Sequence, residues 1–225
     1  MQNIRNLGRR IAIDPRDRKF ALQAPQPSST LTKMFWYTSP AFDQGQKPQC
    51  VAYAGVKFLD SGPIRNLVSN LPFNFDQLYH ECQLNDEWPG EDYDGTSVRA
   101  LFKVLKTKGL VSRYEWAFDI QTMVNYILTT GPMVVGTNWT NSMFYPEKNG
   151  FIRVTGSVIG GHAYLLKGVN TLTKCPDGTI GAFRIINSFG SSWGVRGCAS
   201  ISFADFKNLL TDGGEAATAT ELKVV

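Results

Sequence analysis

The chain has 225 residues, 43% of them hydrophobic and 12% aromatic, enough apolar material for one sizeable domain or two small lobes around a cleft. Charged residues at 19% and a net charge of +4 exclude wholesale disorder and a strongly polyanion-seeking protein. No apolar run approaches about 18 residues and none follows the basic N-terminus, so neither a membrane-spanning helix nor a secretory leader is expected, and a cytoplasmic location is the expectation.

Residues 1–33 are basic and then rich in proline and serine (Ala24-Pro25-Gln26-Pro27-Ser28-Ser29), an extended lead-in to a main domain at 34–225. Arg5, Arg9, Arg10, Arg16, Arg18 and Lys19 crowd its start. A solvated, partly mobile tail is expected there, rather than a nucleic-acid contact. After Pro48, the run Cys50–Leu59 sets Val51, Ala54, Phe58 and Leu59 on one face, which predicts a helix closed by Ser61-Gly62-Pro63. Further helices are predicted at Phe75–Gln83, from a Thr96 or Ser97 cap through Val98, Leu101, Phe102 and Leu105 to Gly109, and at Ile120–Thr129. From Pro132 the texture changes to short strands between glycine-bearing turns: Met133–Gly136, Gly150–Val154, His162–Val169, Ala182–Ile186 and Ala199–Phe203. A short helix at Phe203–Leu210 and a strand in the tail complete an α+β outline, with a helical lobe at about 40–128 and a β lobe at about 129–225.

Three stretches carry chemistry: Asp43-Gln44-Gly45-Gln46-Lys47-Pro48-Gln49-Cys50, Gly160-Gly161-His162-Ala163-Tyr164 and Ile186-Asn187-Ser188-Phe189-Gly190-Ser191-Ser192-Trp193-Gly194. A free thiol is mostly protonated at neutral pH, but a helix N-terminus beside an imidazole lowers its pKa. Cys50 opens a predicted helix, so its sulfur faces the positive end of the dipole. His162 then serves as proton partner, and Asn187 fixes the ring through its other nitrogen. Gln44 stands far enough upstream for its amide to join the Cys50 N–H as an oxyanion donor. Among the four cysteines at 50, 82, 175 and 198 there is no Cys-x-x-Cys pair, and the only histidines are His80 and His162, so neither a metal nor a cofactor is expected. Cys82, Cys175 and Cys198 are expected to be structural thiols, Cys175–Cys198 being the pair least readily excluded as a disulfide. Cys50 is expected to be the thiol most readily alkylated.

These blocks, in this order, resemble the papain family of cysteine peptidases, more specifically its compact bacterial and phage branch. The resemblance covers most of the chain. It implies a two-lobe fold, a helical N-terminal lobe and a β-barrel-like C-terminal lobe, with a cleft between them. It also implies a Cys50–His162–Asn187 triad with Gln44 in the oxyanion hole. Gly131-Pro132-Met133 resembles the segment that opens the family's β lobe, and Trp193-Gly194 continues the asparagine block. Gly95, Thr96, Ser97, Met133, Gly161 and Trp193 are the positions carried over to substrate binding, with an apolar second side chain before the scissile bond. Departures are plain: Lys47 replaces the family's first structural cysteine, and Phe189 stands where an indole shields the His–Asn bond. Residues 1–33 are too short for the long propeptide of secreted members, which leaves a short segment across the cleft as the alternative to a free tail.

The expected function is therefore hydrolysis of peptide bonds through a thioester, by a monomer acting on a peptide or protein substrate without membrane or nucleic acid. Two rivals share the residues: a transamidase or cell-wall peptide hydrolase, and a silent papain-like module used for binding or in a virion. The intact set of Gln44, Cys50, His162 and Asn187 speaks against the silent module.

Overall fold

The structure, a computed structural model, describes residues 6–224. Its elements in chain order are β1 (Lys33–Phe35), α1 (Cys50–Leu59), α2 (Phe75–Asn85), α3 (Val98–Thr107), β2 (Val111–Ala117), α4 (Ile120–Thr129), β3 (Met133–Thr140), β4 (Val158–Lys174), β5 (Ile180–Ile186), β6 (Cys198–Ser202), α5 (Phe203–Thr211) and β7 (Glu215–Glu221). Local chemistry sets the helix starts. Asn74, Ser97, Asp119 and Ser202 each accept a first-turn backbone N–H on the side chain, at 2.8, 3.0, 2.8 and 3.0 Å. α1 is the exception, since Gln49 makes no side-chain cap and instead donates to Asp76 at 2.8 Å. The first N–H groups of α1 thus receive no side-chain cap from Gln49.

The antiparallel sheet runs β2-β7-β3-β4-β5-β6, with β1 beside the far end of β4. Strand alternation gives it two apolar faces. Val134, Ala163, Leu165, Ile186, Ala217 and Ala219 pack with α1, α2 and α3, whereas Met133, Val135, Tyr164, Leu166, Ile185 and Ala216 pack with α4 and α5. Among the described residues, no helix is long and apolar enough to cross a membrane.

The α+β class holds, and α1 and α4 have the predicted limits. Three details differ. β2 and β6 end the sheet without pairing to each other, so it is open rather than barrel-like. Gly150–Val154 is not a strand: Gly150 sits in a turn at φ 81°, and Phe151 makes only an isolated bridge to Ser200. β2, within the expected helical half, went unpredicted because its half-exposed Ser-Arg-Tyr-Glu centre has no local apolar alternation and is held by its register against β7.

The lead-in is not a free tail. Pro15–Phe20 form a 3-10 turn started by Asp14, the Leu22 N–H bonds the Trp116 carbonyl at 2.8 Å, and Arg99 of α3 binds Asp14 and Asp17. Arg16 pairs with Asp14, and Arg18 lies 5.3 Å from the Phe118 ring. Arg9, Arg10, Arg16 and Arg18 thus each meet an acid or a ring of this chain. Arg5 lies outside the described residues.

Helices α1 and α3 touch at Gly55, where a Cβ would lie 2.3 Å from a methyl of Leu101. Gly55→Ala is therefore expected to destabilise by about 1–3 kcal/mol through overpacking, reversing the gain of about 1 kcal/mol that helix propensity alone predicts. A urea titration reads the difference directly.

Candidate active site

α1 delivers Cys50 at its first turn, and β4 delivers His162 opposite Thr137 of β3. The backbone N–H of Ala163, next to the histidine, donates to Cys50 Sγ at 3.3 Å, which seats the sulfur on the strand that carries the imidazole. Asn187 follows β5, and its Oδ1 accepts the Ser188 N–H at 2.8 Å. That bond fixes the amide orientation, so His162 Nε2 must donate to the same Oδ1, also at 2.8 Å. The Nδ1 lone pair remains without a hydrogen-bond partner among the described residues. Phe189 stacks on the imidazole at 4.7 Å between centroids, and Trp139 meets it edge-on at 4.7 Å. Together they close the His–Asn bond to water.

Gln44 is tied in on both sides of its amide. Its Oε1 accepts from the Ser188 hydroxyl, and its Nε2 donates to the Lys47 carbonyl at 2.8 Å. A second Nε2 bond, at 3.1 Å, goes to the carbonyl of Asn6. The cleft is in fact filled by residues 6–10. The Gly8 N–H donates to Cys50 Sγ at 3.3 Å, the Arg9 N–H to the Gly161 carbonyl at 3.0 Å, and the Arg10 N–H to the Thr96 carbonyl at 2.9 Å. The Thr96 N–H returns a bond to the Gly8 carbonyl at 2.9 Å. Glycines permit this closeness. A Cβ on Gly8 would lie 1.8 Å from the Pro48 carbonyl oxygen, and one on Gly95 2.6 Å from the Gly8 oxygen.

Burial sets the protonation state beneath this arm. Cys50 and His162 are both fully buried. Burial pushes the thiol up to about 11, although the N–H groups of Ala163 and Gly8 and the charge of Arg9 pull it back. Burial takes the imidazole down to about 4, against its bond to Asn187. The pair is thus neutral at pH 7. All four cysteines are free thiols, so Cys175 and Cys198 are not joined. In this covered state Cys50, Cys82 and Cys175 are buried and Cys198 alone retains appreciable exposure.

The structure brings Cys50, His162, Asn187, Gln44, Thr96 and Gly161 together around the arm, with Gly95 against Gly8. Ser97 is buried just behind, capping α3 and donating to Glu87 at 2.7 Å. Met133 and Trp193 are not brought to the arm. Met133 pairs with Leu166 in the second core, and Trp193 packs behind Phe189 with its Nε1 on the Phe144 carbonyl at 3.2 Å.

Residues that sequence reasoning missed hold the arm's side chains. Glu215 binds Arg9, and Trp88 and Tyr93 flank Arg10. Glu215 has no local signal, since it reaches the cleft only because β7 sets it opposite Gly136 of β3. Trp88 and Tyr93 flank the acidic pair Glu91-Asp92 in a loop that carries no motif of its own.

No family model matches the sequence, and no curated protein matches it. Solved structures do. Xylellain, a cysteine protease from Xylella fastidiosa, is 16% identical, with 99% of this chain and 100% of that chain covered at a TM-score of 0.73. Bromelain from Ananas comosus, solved with the E64 inhibitor, is 14% identical over 85% of this chain and 99% of its own, at 0.60. Procathepsin L 3 of Tenebrio molitor is 13% identical over 96% of this chain and 76% of its own, at 0.62. With α1, α2 and α3 on one face of the antiparallel sheet, α4 and α5 on the other, and a cysteine at the head of α1 beside the strand that carries the histidine, this chain has the papain-like cysteine protease fold.

Proposed function

We propose that the chain is a cysteine peptidase held latent by its own N-terminal arm. One observation carries the reading: an extended peptide, residues 6–10, lies over Cys50 with a carbonyl on the Gln44 amide. A cleft that binds a peptide there, beside an imidazole oriented by Asn187, has the parts acyl transfer needs.

Once the arm leaves, burial no longer opposes charge. The Cys50 proton passes to His162 Nδ1, and Asn187 keeps that nitrogen aimed by accepting the Nε2–H. The thiolate attacks the substrate carbonyl carbon and a C–S bond forms, while Gln44 Nε2 and the Cys50 N–H hold the oxyanion. His162 then gives its proton to the leaving amine as the C–N bond breaks. Water attacks the thioester, His162 takes the proton of that water, and the acid departs as the thiol is restored. The similar structures include precursor forms, the procathepsin and a stem bromelain precursor overlapping 96% of this chain at a TM-score of 0.60, which supports a latent state.

The test is thiol labelling read by mass spectrometry, with the intact chain beside Gly8→Ala. A methyl at position 8 cannot coexist with the Pro48 carbonyl, so the arm must shift, by about 1–3 kcal/mol of overpacking. At pH 7.5, iodoacetamide is expected to reach Cys50 slowly in the intact chain and about 5- to 150-fold faster in Gly8→Ala. In the intact chain the rate should climb with pH toward about 11, because the thiolate there is the minor form below that value. Equal Cys50 labelling in both proteins would remove the arm from the account.

A further inference from the structure

This inference rests on reading the Cys50 cleft as a peptide site, and it names the peptide. Two successive arginines of the arm each have a receptacle. The Arg9 guanidinium is nearly fully buried, with Nε and Nη2 on Glu215 Oε1 at 3.1 and 2.9 Å and Nη2 also on the Gly213 carbonyl at 2.7 Å. Gly136 makes the space: a Cβ there would lie 2.7 Å from Arg9 Nε and 3.1 Å from Glu215 Oε1 and from a methyl of Val98. The Arg10 guanidinium carbon lies 4.2 Å from the centroids of both Trp88 and Tyr93. Asp86 braces that clamp by accepting the Tyr93 hydroxyl at 2.6 Å and the Trp88 N–H at 3.1 Å.

We propose that the cleft selects peptides with two adjacent arginines, the first seated on Glu215 and the second between Trp88 and Tyr93. An apolar side chain in the first receptacle leaves a carboxylate unpaired beside Val98 and Gly136, the costly arrangement for a buried charge. Lysine supplies the charge but not the fork that reaches Glu215 and Gly213 together. Flat cations fit the second receptacle for the same reason they stack on aromatic faces. Neither receptacle matches the apolar preference that the family resemblance implied.

The experiment uses the full chain with Gly8, Arg9, Arg10 and Cys50 each changed to Ala, so that its own arm does not compete and nothing is cut. Fluorescence anisotropy follows a labelled peptide, Asn-Leu-Gly-Arg-Arg-Ile, against versions with neutral, isosteric citrulline at either arginine and a version with two leucines. Each citrulline is expected to weaken binding about 10- to 100-fold. Glu215→Gln should erase the preference at the first position only, and Trp88→Ala should weaken the hold on the second. Equal affinities across the peptides, or a preference that survives both substitutions, overturn the assignment. The peptide series needs no change in the receptacles, so a misfolded Glu215→Gln does not decide the matter. Because binding is measured without Cys50, a chain that binds the paired arginines but never hydrolyses a peptide sinks the peptidase reading alone. Conversely, a Gly8→Ala chain that cuts dileucine peptides as fast as diarginine ones sinks the selection alone.

Discussion

Changing Cys50 to alanine in a chain released by Gly8→Ala is expected to lower peptide turnover by roughly 10⁵- to 10⁶-fold, the loss typical of removing the nucleophile from a residue set that acts as a unit. The residual rate would come from binding and from the Gln44 amide, which the substitution leaves in place. Folding should change little, because the sulfur's partners are two backbone N–H groups, of Gly8 and Ala163, rather than a network of side chains. Matched thermal melts with and without Cys50 separate lost chemistry from lost structure. Turnover that survives within tenfold would mean that another group attacks the carbonyl, and the assignment of Cys50 would be wrong.

The second large effect concerns the arm. Arg9→Ala removes one member of a buried ion pair and leaves Glu215 without its partner only while the arm is seated. Breaking such a pair costs about 3–5 kcal/mol, so the share of open molecules should rise by roughly two to four orders of magnitude. Trapping of Cys50 by an epoxysuccinyl inhibitor measures that share directly. Arg9→Lys should fall between, since it keeps the charge and loses the fork. An unchanged trapping rate in Arg9→Ala would show that the arm's backbone bonds to Gly161 and Thr96 suffice to hold it.

The candidate site was legible because its parts are local. A cysteine opening a helix, a histidine after two glycines and an asparagine after a strand each leave a mark within a few residues. Likewise α1 and α4 could be bounded from apolar spacing and flanking punctuation alone. What escaped was everything set by register. β2 is a strand because β7 pairs with it, and its own sequence carries no alternation strong enough to say so. Glu215 becomes a neighbour of Gly136 by the same device, two strands meeting from distant parts of the chain. The arm shows the opposite failure. Its arginines were noticed as charge, but charge counts do not reveal that a carboxylate and two rings await them.

Arg9 and Glu215 are 206 positions apart, so the latch joins two segments made far apart in time during synthesis. At about 5–20 residues per second of synthesis, the arginine waits on the order of 10–40 s for its acid to exist. The strand that carries the acid, β7, also lies between β2 and β3 and knits them into one sheet. A newborn polypeptide therefore acquires its restraint and its finished architecture in a single closing event. One broken off before β7 has neither.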